Sequence, residues 1–319
     1  MRRVRYHQNG GPEVLQLEET DVPRPGPGEL LLRTEAVGVT LPVVRKVRGG
    51  GLPLPASLGG EVAGEVVAAG PGVTGFAVGD RVTGLCFTDA YADHSLLNTA
   101  MASPIPDDAS ATDAVALVRC GLVACGAYAA ARPAAGESVL VTAAASGAGH
   151  LAVQLAKELG AGRVVAAVGS AAAEAKAGFL RELGADHVVT YDDLARNEAD
   201  RWGGAVDIVL DAVGGELLSP ALAALAPGGR LVAYSSGGGT IEAYDLLVGA
   251  KSAIGFQMAL IARHRPELME QWRQELWELF AAGRLRPRVH AELPLEAAAR
   301  AHEIIEARVN LGKVVLRPA

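Results

Sequence analysis

The segment Val139-Leu-Val-Thr-Ala-Ala-Ala-Ser-Gly-Ala-Gly-His-Leu-Ala152 holds the residue types and spacing best suited to chemistry. Gly147, Gly149 and Ala152 form a G-x-G-x-x-A array. The array lies between an apolar run that reads as a strand, 138–142, and a helical pattern, 150–159. That strand-to-helix setting makes the array read as a dinucleotide site, the alternative being an ordinary tight turn between strand and helix. Gly147 is expected to permit a tight turn, and Gly149 to let backbone approach a pyrophosphate. Ala152 is expected to let the helix pack close to the strand. The helix N-terminus then offers unpaired N–H groups and a positive dipole end to the anion.

The next strand, 163–168, ends in Gly169-Ser170. NAD-preferring sites usually carry Asp or Glu at that tip, on the ribose hydroxyls. A carboxylate there would repel a 2′-phosphate, whereas Ser170 can donate to one, and Lys176 can add charge. NADP(H) is therefore the expected cofactor. Glu174 is the nearest argument against it.

These residues need a frame. The first ~120 residues are rich in Gly and Pro and carry short β-like runs at 30–39, 61–68 and 81–85, which suggests a compact β-rich domain. From about Ala134 strands and helices alternate. Strands are expected at 138–142, 163–168, 187–191, 206–210 and 230–234, and helices at 150–159 and 174–183, the latter closed by Gly184. Alternation of this kind predicts a doubly wound parallel sheet, an α/β fold. Residues 266–282 and 296–307 read as helices and 313–316 as a last strand, which returns the chain to the first domain.

Bulk properties exclude several classes. Half of the 319 residues are hydrophobic, enough for a sizeable core and about two domains, and only 4% are aromatic. The net charge is -7 without a basic cluster, so no nucleic-acid partner is expected. No uninterrupted apolar run reaches about 18 residues, so no membrane partner is expected. The basic start lacks an apolar stretch behind it, and a cytoplasmic protein is expected. Cys86, Cys120 and Cys125 are scattered, odd in number and without a C-x-x-C pair. They read as small buried hydrophobes and not as disulfides or zinc ligands.

Further motifs accumulate along the chain: Gly38-Val-Thr40, Gly59-Gly-Glu-Val-Ala-Gly-Glu65, Gly79-Asp-Arg-Val82, Glu182-Leu-Gly-Ala-Asp186, Asp211-Ala-Val-Gly214, Pro227-Gly-Gly-Arg-Leu231, Ala301-His302, Arg308 and Gly312-Lys-Val-Val-Leu316. With the Gly147–Gly149 segment, their order and spacing resemble the zinc-free quinone oxidoreductase (zeta-crystallin-like) branch of the medium-chain dehydrogenase/reductase superfamily. The resemblance covers essentially the whole chain. It implies a GroES-like β-rich domain, 1–122 completed by 262–319, and a Rossmann NADP(H)-binding domain, 123–261. It also implies NADPH in the cleft, a small-molecule substrate and a homodimer joined through the Rossmann sheets. By the resemblance, Ser146, Gly147, Ala148 and Gly149 hold the pyrophosphate. Gly169, Ser170, Lys176 and Tyr191 face the adenosine end, and Arg308 either reaches the 2′-phosphate or is a helix-end charge. Ser235, Ser236, Phe256, Gln257 and Met258 line the nicotinamide.

The zinc-dependent branch places a Cys and a His where this chain has Val39-Thr40 and Gly60, and its four-Cys lobe has no counterpart, so no metal is expected. The substrate half departs from the family. Its G-x-N-x-x-D with a following Tyr reads here Gly38-Val-Thr-Leu-Pro-Val-Val-Arg45, so Thr40, Val43 and Arg45 replace Asn, Asp and Tyr. Thr40 and Arg45 are the catalytic candidates, with Tyr91 and His94 behind them. Arg45 can stabilise an oxyanion but cannot shuttle a proton. The expected activity is NADPH-dependent reduction of a quinone or an α,β-unsaturated carbonyl compound. The alternatives are an enoyl reductase for a carrier-bound intermediate and a non-catalytic NADPH-binding protein.

Overall fold

The structure, a computed structural model, describes residues 1–49, 52–234 and 237–318. The chain forms two compact units, Met1–Arg119 with Pro287–Ala319, and Cys120–Arg286.

The first unit opens with β1 (Arg2–Tyr6), β2 (Gln16–Glu19) and the long β3 (Glu29–Val39), followed by helix α1 (Leu41–Gly49). Strands β4 (Ala56–Ser57), β5 (Gly60–Ala69), β6 (Arg81–Cys86), β7 (His94–Asn98) and β8 (Ser103–Pro104) follow. The boundary between units falls within helix α2 (Ala111–Ala130). The second unit alternates β9 (Ser138–Val141), α3 (Gly149–Glu158), β10 (Arg163–Val168), α4 (Ala173–Glu182), β11 (His187–Thr190) and α5 (Tyr191–Ala195). It continues with β12 (Val206–Asp211), α6 (Leu218–Ala223), β13 (Leu225–Ala233), α7 (Ala243–Val248) and β14 (Ser252–Gly255), and ends in α8 (Met258–His264) and α9 (Pro266–Ala281). The chain then returns through β15 (Val289–Pro294), α10 (Ala298–Glu306) and β16 (Lys313–Arg317).

In the first unit β15, β16, β3, β5, β6 and β8 lie in that order, and β7 also pairs with β3. Strand β16 runs antiparallel to β3, so the end of the chain completes the sheet begun near its start. Its core includes Leu30, Leu32, Val37, Val62, Val82, Val314 and Leu316.

The second unit holds a parallel sheet in the order β11-β10-β9-β12-β13-β14. Counted from its first strand this is 3-2-1-4-5-6, with the switch point between β9 and β12. Val139, Leu140 and Val141 are completely buried, as are Val164 to Ala167, which is why these strands read as continuous apolar runs and not as alternation.

Two helices depart from the sequence reading. Helix α2 is apolar nearly all round and leaves no polar stripe to read in the sequence. It is long and apolar enough to cross a membrane, yet 72% of its most apolar window is buried within the protein, as in a core helix. Helix α9 was expected with the C-terminal return, but the second unit extends to Arg286. Cβ atoms added at Gly121 and Gly126 would strike Leu276, Phe256 and Trp272, so α9 packs closely on the second half of α2.

Candidate functional site

The second unit gathers its functional candidates where the strands end. After β9, the chain turns at Ala143, whose backbone is left-handed (φ 48°). Ser146 closes the turn by donating its N–H to the Ala143 carbonyl at 2.9 Å. Its hydroxyl accepts from Gly149 N at 3.0 Å, and its carbonyl accepts from the His150 ring at 2.9 Å. Opposite a carbonyl, His150 Nδ1 must carry the proton. Helix α3 therefore begins with a fixed N-terminus. Among the described residues, the N–H groups of Gly147 and Ala148 donate to nothing. They are the orphan donors that a helix start offers to an anion.

The glycines act differently from the sequence expectation. The left-handed turn falls on Ala143 and not on Gly147. A Cβ at Gly149 would lie 2.2 Å from the Ala143 carbonyl and 2.8 Å from Ala144 Cα. Gly149 is thus required by the approach of α3 to its own turn, before any ligand is considered.

Tyr191, the first residue of α5, accepts the Ala143 N–H on its hydroxyl at 3.1 Å, and its ring edge faces Gly169. A capping box between Thr190 and Asp193 fixes the start of α5 and so holds Tyr191 in place. Ser170 is exposed beyond β10. Lys176 is not a solvated surface lysine, since it is only 4% exposed on α4. Gly169, Ser170, Tyr191 and the Ser146–Gly149 turn are brought together at the ends of β9, β10 and β11.

Other candidates fall elsewhere. Phe256 follows β14 with its ring against Gly126 of α2, while Gln257 precedes α8 and Met258 begins it. Arg308, in the first unit, is exposed just past α10 with a left-handed backbone (φ 56°). Ser235 and Ser236 lie outside the described residues.

A polar knot at the switch point carried no sequence assignment. Thr142 and Asp211 follow β9 and end β12, both are completely buried, and Asp211 accepts from Thr142, Val213 and Gly214. The motif Asp211-Ala-Val-Gly214 is the visible signal of this loop closure.

In the first unit a pocket of about 430 Å³ opens between α1, β5 and the 52–59 and 85–88 segments. Thr40 lines it, and the Thr40 carbonyl accepts the N–H groups of Val43 and Val44 at the start of α1. Arg45 does not line it. At about 100° per residue, Pro42, Val43, Lys46 and Val47 share the pocket face of α1, and Arg45 falls outside it. The lining cation on this helix is Lys46. Thr40 before Pro42, with valines at 43, 44 and 47, is a helix-start signal that would have shown this.

Glu61 is the pocket residue that the sequence reading passed over. Its carboxylate is 2% exposed and accepts from the equally buried Lys313 and from Arg119, the latter at 3.2 Å. Gly38 lies opposite Glu61 in the β3–β5 register, and a Cβ there would lie 2.5 Å from Lys313 Cε and 2.8 Å from Glu61 Oε2. The glycine makes room for the ion pair. Tyr91 is buried with its hydroxyl 3.2 Å from His302 Nε2, and burial pushes its pKa up. His94 sits on β7, and neither residue lines the pocket.

Comparison with known proteins agrees with this architecture. Residues 26–132 match the alcohol dehydrogenase GroES-like domain, and 183–316 match the zinc-binding dehydrogenase domain. The quinone oxidoreductase of Pseudomonas aeruginosa is 32% identical over 99% of both chains. The 2-haloacrylate reductase of a Burkholderia species is 31% identical over 98% of this chain and 97% of its own. A mycobacterial protein solved with NADPH superposes with a TM-score of 0.90 at 31% identity, covering 100% of each chain. The Escherichia coli quinone oxidoreductase, also solved with NADPH, gives 0.87 at 29% identity, again covering 100% of each chain. A GroES-like unit with a Rossmann sheet is the fold of medium-chain dehydrogenases. The chain belongs to the quinone oxidoreductase (zeta-crystallin-like) branch of that superfamily.

One domain description names zinc, but the residues do not fit it. Among the described residues no three His, Cys, Asp or Glu side chains converge. Glu61 is held by two cations, and the Cys86 thiol, pushed up to about 12 by burial, donates to the Leu96 carbonyl. A Cβ at Gly60, where a ligating His would stand, meets Val37, Ala90 and Tyr91 at 3.3–3.4 Å.

Proposed function

We propose that the protein is an NADPH-dependent, metal-independent reductase of quinones or α,β-unsaturated carbonyl compounds. The observation that carries this reading is the start of α3, with the N–H groups of Gly147 and Ala148 unengaged among the described residues beside the acid-free tip of β10. Those donors suit a pyrophosphate, and an exposed Ser170 in place of a carboxylate suits a 2′-phosphate. The two neighbours solved with NADPH support the choice of cofactor. Relatives named for quinones and for a 2-haloacrylate support an electron-poor acceptor. The lack of a converging ligand set among the described residues supports metal independence.

When bound, NADPH supplies a hydride to the acceptor, and a proton from solvent or a side chain completes the reduction. In this reading Ser146, Gly147, Ala148 and Gly149 hold the pyrophosphate, and Gly169 and Ser170 face the ribose phosphate. Tyr191 keeps the Ala143 turn in place through its hydroxyl. Thr40, at the pocket wall, donates to the acceptor oxygen.

We also infer a homodimer joined along β14. That strand is the sheet edge and mostly exposed, and the preceding α7 leaves Tyr244, Leu247 and Val248 in solvent.

Fluorescence titration with NADPH and NADH, followed by absorbance of the reduced nicotinamide with quinones and enones, tests the function. Tight NADPH binding with oxidation by an acceptor is the expected result. Binding without oxidation by any acceptor would favour a non-catalytic NADPH-binding protein, and no binding of either nucleotide would overturn the reading.

A further inference from the structure

The pocket of the first unit carries an excess of positive charge in a chain whose net charge is -7. Its one lining carboxylate, Glu61, is bonded to Lys313 and Arg119. Among the lining residues one carboxylate, Glu61, therefore stands against two cations, Arg119 and Lys46. Lys46 also lines the pocket and forms no ion pair among the described residues. Arg119 uses one guanidinium nitrogen on Glu61, and its side chain is 44% exposed.

Apolar surface makes up much of the remaining wall. Leu52, Pro53 and Pro55 line it, and Phe87, 73% exposed, stands at its edge. A large exposed aromatic and an ammonium without an ion pair among the described residues, lining one pocket, suit an amphiphilic occupant. An apolar body would cover Phe87 and Leu52, while an anionic end would reach the ammonium.

We propose that the acceptor taken by this pocket carries a carboxylate, and that Lys46 is the residue selecting it. The proposal rests on the reductase reading for its chemistry but only on the first unit for its geometry. A carboxylate on Lys46 gains a charge-assisted hydrogen bond that a neutral ester cannot make. Arg45, which does not line the pocket, has no part in it.

Two measurements separate this proposal from the reductase reading. The first is calorimetric binding of 4-oxo-4-phenylbutanoate and its methyl ester, which cannot be reduced at a C=C bond. The acid should bind about tenfold or more tighter than the ester; Lys46→Met should abolish that preference, and Lys46→Arg should retain most of it. The second is reduction of 4-oxo-4-phenylbut-2-enoate and its methyl ester with NADPH. Lys46→Met should raise KM for the acid about tenfold more than KM for the ester, with little change in kcat. No preference in the wild type, or one that survives Lys46→Met, would overturn the proposal and leave Lys46 a solvated helix charge. Selective binding without turnover would count against the reductase reading alone.

Discussion

The Thr142 hydroxyl donates to Asp211 Oδ1 at 2.8 Å, and neither side chain is exposed to solvent. Thr142 also accepts from Ala212 N at 2.9 Å, so one hydroxyl joins the ends of β9 and β12 at the switch point. Both Asp211 oxygens are used, Oδ1 by Thr142 and Val213 and Oδ2 by Gly214. In Asp211→Asn the amide nitrogen must face a donor in either orientation. A buried donor left unsatisfied costs about 1–3 kcal/mol. Urea unfolding should show a free energy of unfolding lower by that amount, through a lower midpoint at an unchanged m-value, and a midpoint equal to the wild type would mean that the knot contributes nothing.

The buried pair of Glu61 and Lys313 gives the second prediction. Lys313→Met leaves a carboxylate that is 2% exposed with a reduced share of cations. Breaking one partner of such a pair costs about 3–5 kcal/mol, whereas replacing both by apolar groups is often neutral. The double variant Glu61→Leu with Lys313→Met should therefore be closer to the wild type than Lys313→Met alone. Additive losses in the double-mutant cycle would show that the two groups are uncoupled.

Local signals account for what was legible in the sequence. The runs 163–168 and 187–191 fall within a residue of β10 and β11; β10, buried on both faces, writes an unbroken apolar run, while the edge strand β11 is marked by its β-branched Val188, Val189 and Thr190. Helix α1 was missed because three valines in nine residues suit a strand as well as a helix. With it went the distinction between Arg45 and Lys46. Glu61 and Lys313 are 252 residues apart and meet only through the antiparallel register of β16 on β3 and β3 on β5. Each stood in a quoted motif, yet no local pattern joins them.

His302 gives a pH dependence. Burial holds its pKa at about 4, below the ordinary 6.5. The unfolded chain therefore binds a proton between these values that the folded chain refuses, and stability falls as pH drops from about 6.5 toward 4. The largest contribution of this group is about 3 kcal/mol. Carboxylates held low by arginine or lysine partners, such as Glu137, act only below about pH 4.5. His94 and His290 are lowered by burial too and add in the same direction. The Gln side chain of His302→Gln can still meet Tyr91, so the variant should lose part of the slope between pH 6.5 and 5 in chemical unfolding. An identical slope in both proteins would remove His302 as its source.

The α3 cradle can be tested without confusing binding with folding. Gly149→Ala puts a Cβ 2.2 Å from the Ala143 carbonyl, a backbone contact that cannot give way cheaply. Overpacking of that kind costs about 1–3 kcal/mol, so this variant should lose thermal stability as well as NADPH affinity. Ala148→Asp separates the two effects. Ala148 is the residue before α3, and its side chain makes no capping bond. A carboxylate there complements the positive helix end, by about 0.3–1 kcal/mol where exposed, and should keep Tm at or above that of the wild type. The same charge repels a pyrophosphate approaching the N–H groups of Gly147 and Ala148, and NADPH affinity should fall by about tenfold or more. Wild-type affinity in a stable Ala148→Asp protein would show that the dinucleotide does not use this helix end.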